Sequence, residues 1–428
     1  MGMKTVILSD LHLGSKASVL GTAAADQVGQ SHADYLKNKL FSKLRAELSP
    51  KSPGDRFILV SAGDTLDFSL QDYTAAFTDG QSFFKALAAE ELFDDIILLA
   101  GNHDHNIWQM VQLETVIVDR LRKGQVPGEF KHIRGALLDL AADKLVIPGV
   151  TNVPEERNSD SFFIQGLFGD VPSDKRPKLW VVYPSLFIQP PVAADEAASP
   201  ILVTHGHFFS LPWVLLTTVF PKSLKIDRNC TIAQLEQLNS PLTEMAWTAL
   251  GQAGTLTEAA RSIYDSMAKG ETKAAQAVLD ELGDYFDNDV WKYKAINPKE
   301  WATDALIFTI KKFLLHLIDN GVKSAGDHKE DHSFLNSDDN QKRIETYLDM
   351  SNVQYADLLK SNNPAANPGT PSMVVFGHTH VVIDPAHTGP QGVKFLNTGG
   401  FMQDVDTVEA TAVIVDESGQ VRSVKVWP

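Results

Sequence analysis

The chain has 428 residues, 43% apolar and 21% charged, which is globular composition and more chain than one domain usually needs. A formal net charge of −16 argues against generic nucleic-acid binding, since an acidic surface gains little from displacing counterions. The single cysteine, Cys230, excludes an intrachain disulfide framework and fits a reducing compartment.

The first predicted element is a strand over 4–10, with no basic-then-apolar leader before it. Further short runs rich in Val, Ile and Leu follow at 57–60, 96–99, 201–203 and 373–376. Each is too short for a helix and nearly all apolar, the pattern of strands buried on both faces. Two more strands are expected at 393–396 and 410–415, and a last one at 421–426, where apolar and polar residues partly alternate. No apolar run reaches the roughly 18 residues of a membrane span. The nearest, 208–220, is short and carries Pro212. These features predict a cytoplasmic protein without a transmembrane segment.

Between 210 and 371 helical signals dominate. Thr255-Leu256-Thr257-Glu258 has the capping-box pattern, and Asn297-Pro298-Lys299-Glu300 sets a cap, a first-turn proline and an acidic third position. The stretch after it spaces Trp301, Ala305, Phe308, Leu314 and Ile318 like one helix face and stops at Asn320-Gly321. Residues 274–282 and 344–359 also read as helices, 323–341 as a polar acidic loop and 361–372 as a linker. The predicted organisation is a sheet-based core, 1–210 and 371–428, interrupted by a mainly helical insertion or cap, 211–370.

Five polar clusters sit at the carboxyl ends of the buried runs: Asp10-Leu11-His12, Gly63-Asp64-Thr65-Leu66-Asp67, Gly101-Asn102-His103-Asp104, Thr204-His205-Gly206-His207 and Gly377-His378-Thr379-His380. Strand carboxyl ends are where sites assemble in open α/β sheets. Taken singly, each cluster has an ordinary reading: a chance Asp-x-His, a turn rich in Gly, Asn and Asp, or a histidine satisfied within the core. Five in order, each after an apolar run, point instead to one site. Carboxylate, imidazole and amide oxygen together suit Mn, Fe, Zn or similar ions.

This order of motifs resembles the calcineurin-like metallophosphoesterase superfamily over 4–207 and 373–400, including the Asn397-Thr398-Gly399 turn, but not over the insertion. The resemblance implies an α/β fold, a two-sheet metallophosphoesterase sandwich flanked by helices. It implies that Asp10, His12 and His380 hold one divalent metal ion, that Asn102, His205 and His378 hold a second, and that Asp64 bridges the two. It also implies that His103 contacts the phosphate and protonates the leaving oxygen, with Asp67 orienting it.

The implied activity is hydrolysis of a phosphate mono- or diester by metal-activated water, on a nucleotide or a lipid-linked substrate among others. Three alternatives stand beside it. One is a nuclease on the same core, which the net charge disfavours. Another is a pyrophosphatase like the bacterial UDP-diacylglucosamine hydrolases, which share the Ser-Asp-Leu-His-Leu opening, here Ser9 to Leu13. The last is a non-catalytic scaffold with the insertion as its partner surface.

Of the neighbouring residues, His105 and His207 read as outer supports or surface groups, and Asp104 as a motif residue that is not a ligand. His328 and His332 read as loop residues, and Cys230 as inert. Leu211-Pro212-Trp213-Val214-Leu215-Leu216 reads as core packing, or in a sharper version as an apolar wall for the substrate.

Overall fold

A computed structural model describes residues 2–48, 50–69, 71–128, 135–147, 161–193, 196–214, 217, 230–244, 252, 333–403 and 408–427. Met1–Gln252 and Asp331–Pro428 form one compact unit; the other, Ala253–Glu330, lies outside the described residues. The helix signals at 255–258, 274–282 and 297–318, and His328 and His332, therefore lie outside the described residues.

The compact unit is built on thirteen described strands: β1 (Met3–Leu8), β2 (Arg56–Ala62), β3 (Asp95–Leu99), β4 (Ala136–Asp139), β5 (Lys144–Val146), β6 (Lys178–Val182), β7 (Ser185–Gln189), β8 (Ile201–Thr204), β9 (Met373–Phe376), β10 (Val382–Thr388), β11 (Lys394–Thr398), β12 (Ala410–Asp416) and β13 (Val421–Trp427). They make a six-stranded sheet, β13-β12-β1-β2-β3-β6, and a seven-stranded sheet, β10-β11-β9-β8-β7-β4-β5. Both sheets are mixed. β1, β2, β3 and β6 run parallel, as do β8, β9 and β11.

Burial on both faces explains the nearly continuous apolar runs. Ile7, Ile58, Val60, Ile97 and Leu99 share one cluster with Leu186, Ile188, Val203 and Val375, so residues from both sheets meet between them. The alternate residues Val6, Leu8, Leu59, Ile96 and Leu98 join a second cluster with the helices. Among these is the helix Tyr73–Ala89, which Asp72 caps by accepting from the Ala75 N–H. The fold class is the expected one: an α/β sandwich of two mixed sheets with helices.

The helix Asp338–Asn362 contains the predicted 344–359 and is longer at both ends. It buries Tyr347 and Tyr355. The Tyr347 hydroxyl meets Ser185 Oγ at 2.9 Å and Thr204 Oγ1 at 3.0 Å, which ties the helix to β7 and β8. The expected loop at 323–341 is corrected over its described end: Ser333–Asn336 is helical and Asp338 already opens the long helix. Its polar composition hid two apolar anchors, Phe334 and Leu335, both buried. The strands β4, β5, β6, β7 and β10 were not predicted. No described helix is long and apolar enough to cross a membrane.

The topology collects the five clusters. β1, β2 and β3 are neighbours in one sheet, and β8 and β9 are neighbours in the other. The loops leaving their carboxyl ends are stitched together by backbone bonds. Asp10 N donates to Gly63 O (3.1 Å), His12 N to Asp64 O (2.8 Å) and Gly377 N to His205 O (3.0 Å).

Candidate metal centre

Five side chains at these loops sit on left-handed backbone: Asp10 (φ 54°), His12 (φ 47°), Asp64 (φ 51°), His378 (φ 70°) and His380 (φ 56°). Only three other described non-glycine residues do so, Glu91, Asp143 and Gln391. Such conformations cost about 1–3 kcal/mol each and collect at functional sites, where the surroundings hold them. Here the chain is turned sharply off each strand so that the next side chain faces the same centre. Gly63 (φ 98°) makes one turn that no other residue could. A Cβ there would lie 2.3 Å from the His205 ring.

The donor atoms fall into two groups that meet at one carboxylate. In the first, Asp10 Oδ1 lies 3.3 Å from His380 Nε2 and 3.9 Å from His12 Nε2, and those two nitrogens are 3.1 Å apart. In the second, Asn102 Oδ1 lies 2.9 Å from His205 Nε2 and 3.0 Å from His378 Nδ1. Asp64 Oδ2 touches both groups, at 3.6 Å from His12 Nε2 and 3.1 Å from His205 Nε2. Its other oxygen accepts the His103 N–H at 2.8 Å. Ligand atoms about 2.1 Å from one ion sit roughly 3–3.5 Å from one another, so these spacings fit divalent cations. Among the described residues, three acid–imidazole groups could hold a metal: Asp10, His12 and His380; His12, Asp64 and His103; Asp10, Asp64 and His205.

The family model for calcineurin-like phosphoesterases matches residues 3–256. The chain belongs to this family. No curated protein matches it. The match covers the clusters on β1, β2, β3 and β8 and stops short of Gly377 to His380, which β9 carries into the same centre. Members are metal-dependent phosphoester hydrolases, and the buried Asp and His groups suit that chemistry.

In this phosphoesterase, three imidazoles have their second nitrogen engaged away from the centre. His12 Nδ1 donates to Asp67 Oδ2 at 3.3 Å, and His205 Nδ1 donates to Ala62 O at 3.0 Å. His378 Nε2 meets Ser210 Oγ at 3.3 Å. The carboxylate and the carbonyl fix the Nδ1–H tautomer of His12 and His205 and leave the Nε2 lone pair towards the centre. The Ser210 hydroxyl can donate or accept, and His378 turns Nδ1 towards Asn102 Oδ1.

His103 Nδ1 lies 3.3 Å from Asp67 Oδ1. Asp67 thus serves two imidazoles, one through each oxygen. Ser69 adds a bond to His103 Nδ1 and donates to Asp67 Oδ1 at 3.1 Å. Ser69 and Ser210 were not predicted, since a lone serine beyond a motif gives no sequence signal. Asp104 faces away from the donors. Its carboxylate accepts from the N–H groups of Gly101 (2.6 Å), Thr65 (2.7 Å), Asp64 (3.3 Å) and Leu66 (3.3 Å). It clamps the β2 and β3 loops together.

Electrostatics follow from burial opposed by close partners. Burial alone would raise Asp64, but the His205, His103 and His12 imidazoles outweigh it and hold the carboxyl well below its usual range. Asp67 is depressed in the same way by His103 and His12. His205 runs against its own burial and is pushed up to about 9 by Asp64. His103 is raised by Asp64 and Asp67 despite burial. Burial and the Asp64 charge lift Asp104 to about 6, although its N–H donors pull the other way.

The expectation that His105 and His207 are outer or surface groups is half corrected: both are buried. His207 stacks near Tyr183, and burial with the neighbouring His205 and His378 holds it well below the normal histidine range. Trp213 and Val214 are buried, with the Trp213 ring edge-on to His207 and His378 at 6.1 and 6.3 Å, which supports the core-packing reading of 211–216. Leu215 and Leu216 lie outside the described residues.

Proposed function

We propose that the chain is a dinuclear phosphoesterase that hydrolyses a phosphate mono- or diester with two divalent ions, of Mn, Fe, Zn or similar. Asp10, His12 and His380 would hold one ion, Asn102, His205 and His378 the other, and Asp64 both. When bound, such ions neutralise phosphate charge and lower the pKa of water towards neutrality.

The chain's own residues do the rest. Asp64 Oδ1 is anchored by the His103 N–H, which leaves Oδ2 towards both donor groups. His103 offers Nε2 to the phosphate and gives its proton to the leaving oxygen. Asp67 and Ser69 hold its Nδ1, and the two carboxylates keep it charged. The expected course is in-line attack by water with inversion at phosphorus and no phosphoenzyme.

The observation that carries this reading is Asp64 Oδ2, one carboxylate oxygen within 3.6 Å of imidazoles from both donor groups. The insertion 211–370, the cytoplasmic location and the substrate class belong to the same proposal, with nucleotides and lipid-linked diphosphates first to be screened. The test is hydrolysis of bis-p-nitrophenyl phosphate and p-nitrophenyl phosphate with Mn²⁺ and with chelator. Turnover that needs Mn²⁺ and disappears in Asp64→Asn supports the reading. Turnover that survives both chelator and Asp64→Asn overturns it.

A further inference from the structure

Glu236 lies in the helix Ile232–Thr243, within the stretch proposed as an insertion, and is 3% exposed. A carboxylate so buried costs several kcal/mol unless it is paired. Here it has two donors from other parts of the chain. Its Oε1 accepts from His105 Nε2. Its Oε2 accepts from the Tyr183 hydroxyl at 2.5 Å. Tyr183 follows β6, which pairs with β3, and its ring meets the His105 ring edge-on at 5.2 Å. Glu236 is therefore satisfied only when the helix, the end of β6 and the loop after β3 are all in place.

The loop after β3 is the one that presents Asn102 and His103. Asp104 pins its middle to the β2 loop through the Thr65 N–H and folds it back on its own Gly101 N–H. His105, the next residue, starts the helix Asn106–Gln112. A shift of His105 is passed straight back, because only Asp104 separates it from His103. We infer that Glu236 is a positioning residue which, through His105, fixes the loop carrying Asn102 and His103. The helix Ile232–Thr243 thereby sets the geometry of the centre without touching it. This inference rests on the proposed function, in which Asn102 and His103 act on metal and phosphate.

Two replacements separate positioning from simple packing. Glu236→Leu keeps bulk but removes the acceptor shared by His105 Nε2 and the Tyr183 hydroxyl, whereas Glu236→Gln can still bond to both. Three readouts are compared with the parent: backbone amide exchange over 101–105 in metal-free protein, Mn²⁺ affinity by calorimetry, and kcat and KM on bis-p-nitrophenyl phosphate. In Glu236→Leu, exchange over 101–105 rises while β1 and β2 keep their protection. The Mn²⁺ ion at Asn102 is weakened about tenfold, and kcat falls about tenfold with KM nearly unchanged. Glu236→Gln restores most of each. Unchanged exchange over 101–105 with parental Mn²⁺ affinity in Glu236→Leu overturns the inference, as does a rise in exchange spread evenly over the chain. Because exchange and metal binding are read without turnover, a parent protein that binds Mn²⁺ but hydrolyses nothing would defeat the proposed function and leave this test standing.

Discussion

Replacing Asp67 by Asn removes one charge that two imidazoles share, His12 Nδ1 and His103 Nδ1, each at 3.3 Å. A hydrogen bond to a charged group contributes about 1.5–3 kcal/mol. Loss of the carboxylate therefore lowers the His103 pKa. The sign matters. His103 acts as an acid, its pKa is raised by Asp64 and Asp67, and activity is lost on the alkaline side as it deprotonates. Asp67→Asn therefore moves the alkaline limb of the pH–rate profile to lower pH.

The size of the rate loss depends on the leaving group. A general acid contributes about 10²–10⁴-fold where the departing oxygen is basic. It contributes little for p-nitrophenolate, which leaves unprotonated. The assay is kcat against pH for bis-p-nitrophenyl phosphate and for a dialkyl phosphodiester, whose only leaving group is a basic alkoxide. Mn²⁺ is kept saturating, because Asp67 also orients His12 and its loss weakens metal binding about 10–100-fold. An alkaline limb that stays in place, or equal losses on both substrates at saturating Mn²⁺, would refute the role given to His103 and Asp67.

The remaining expectations concern the metal site itself. Gly101→Ala sets a Cβ 2.1 Å from Asp64 Oδ1, so the carboxylate must move; Mn²⁺ affinity and turnover should both fall at least about 100-fold. Gly124→Ala, whose added methyl meets nothing within 4 Å, is the control and should cost only about 1–2 kcal/mol of stability from its φ of 67°. In the metal-free protein His205 is protonated at neutral pH, since Asp64 pushes it up to about 9 against its burial. Filling the Asn102–His205–His378 group should therefore release about one proton near pH 7.5. Calorimetry in two buffers of different ionisation enthalpy reads this directly, and a buffer-independent heat contradicts it.

The strands that carry the site were legible because they are buried on both faces. Val6 and Ile7 face different clusters, and so do Leu59 and Val60, which keeps the runs Val6–Leu8 and Phe57–Val60 wholly apolar. The strands that were missed have other constraints. β10 is an edge strand that contains Pro385 and is mostly solvated, and β4 and β5 are four and three residues long. Proline is tolerated at an edge, where one row of donors needs no partner. β6 and β7 are apolar but lead into Tyr183-Pro184 and Gln189-Pro190 rather than into a chemical motif.

The sequence by itself determined the family, the strands that carry the candidate site and the residue types gathered there, because ligand chemistry and two-sided burial leave marks that are local in the chain. Which atoms face one another was decided only in three dimensions. That Asp67 serves both His12 and His103, that Ser210 meets His378 Nε2, and that Glu236 reaches His105 across 131 positions are facts of contact between distant segments. The carboxylates Asp67, Asp104 and Glu236 look alike in sequence. Only the donors packed around each one separate an orienting group, a backbone clamp and a buried tether, because a carboxylate taken out of water takes its role from the partners that compensate it.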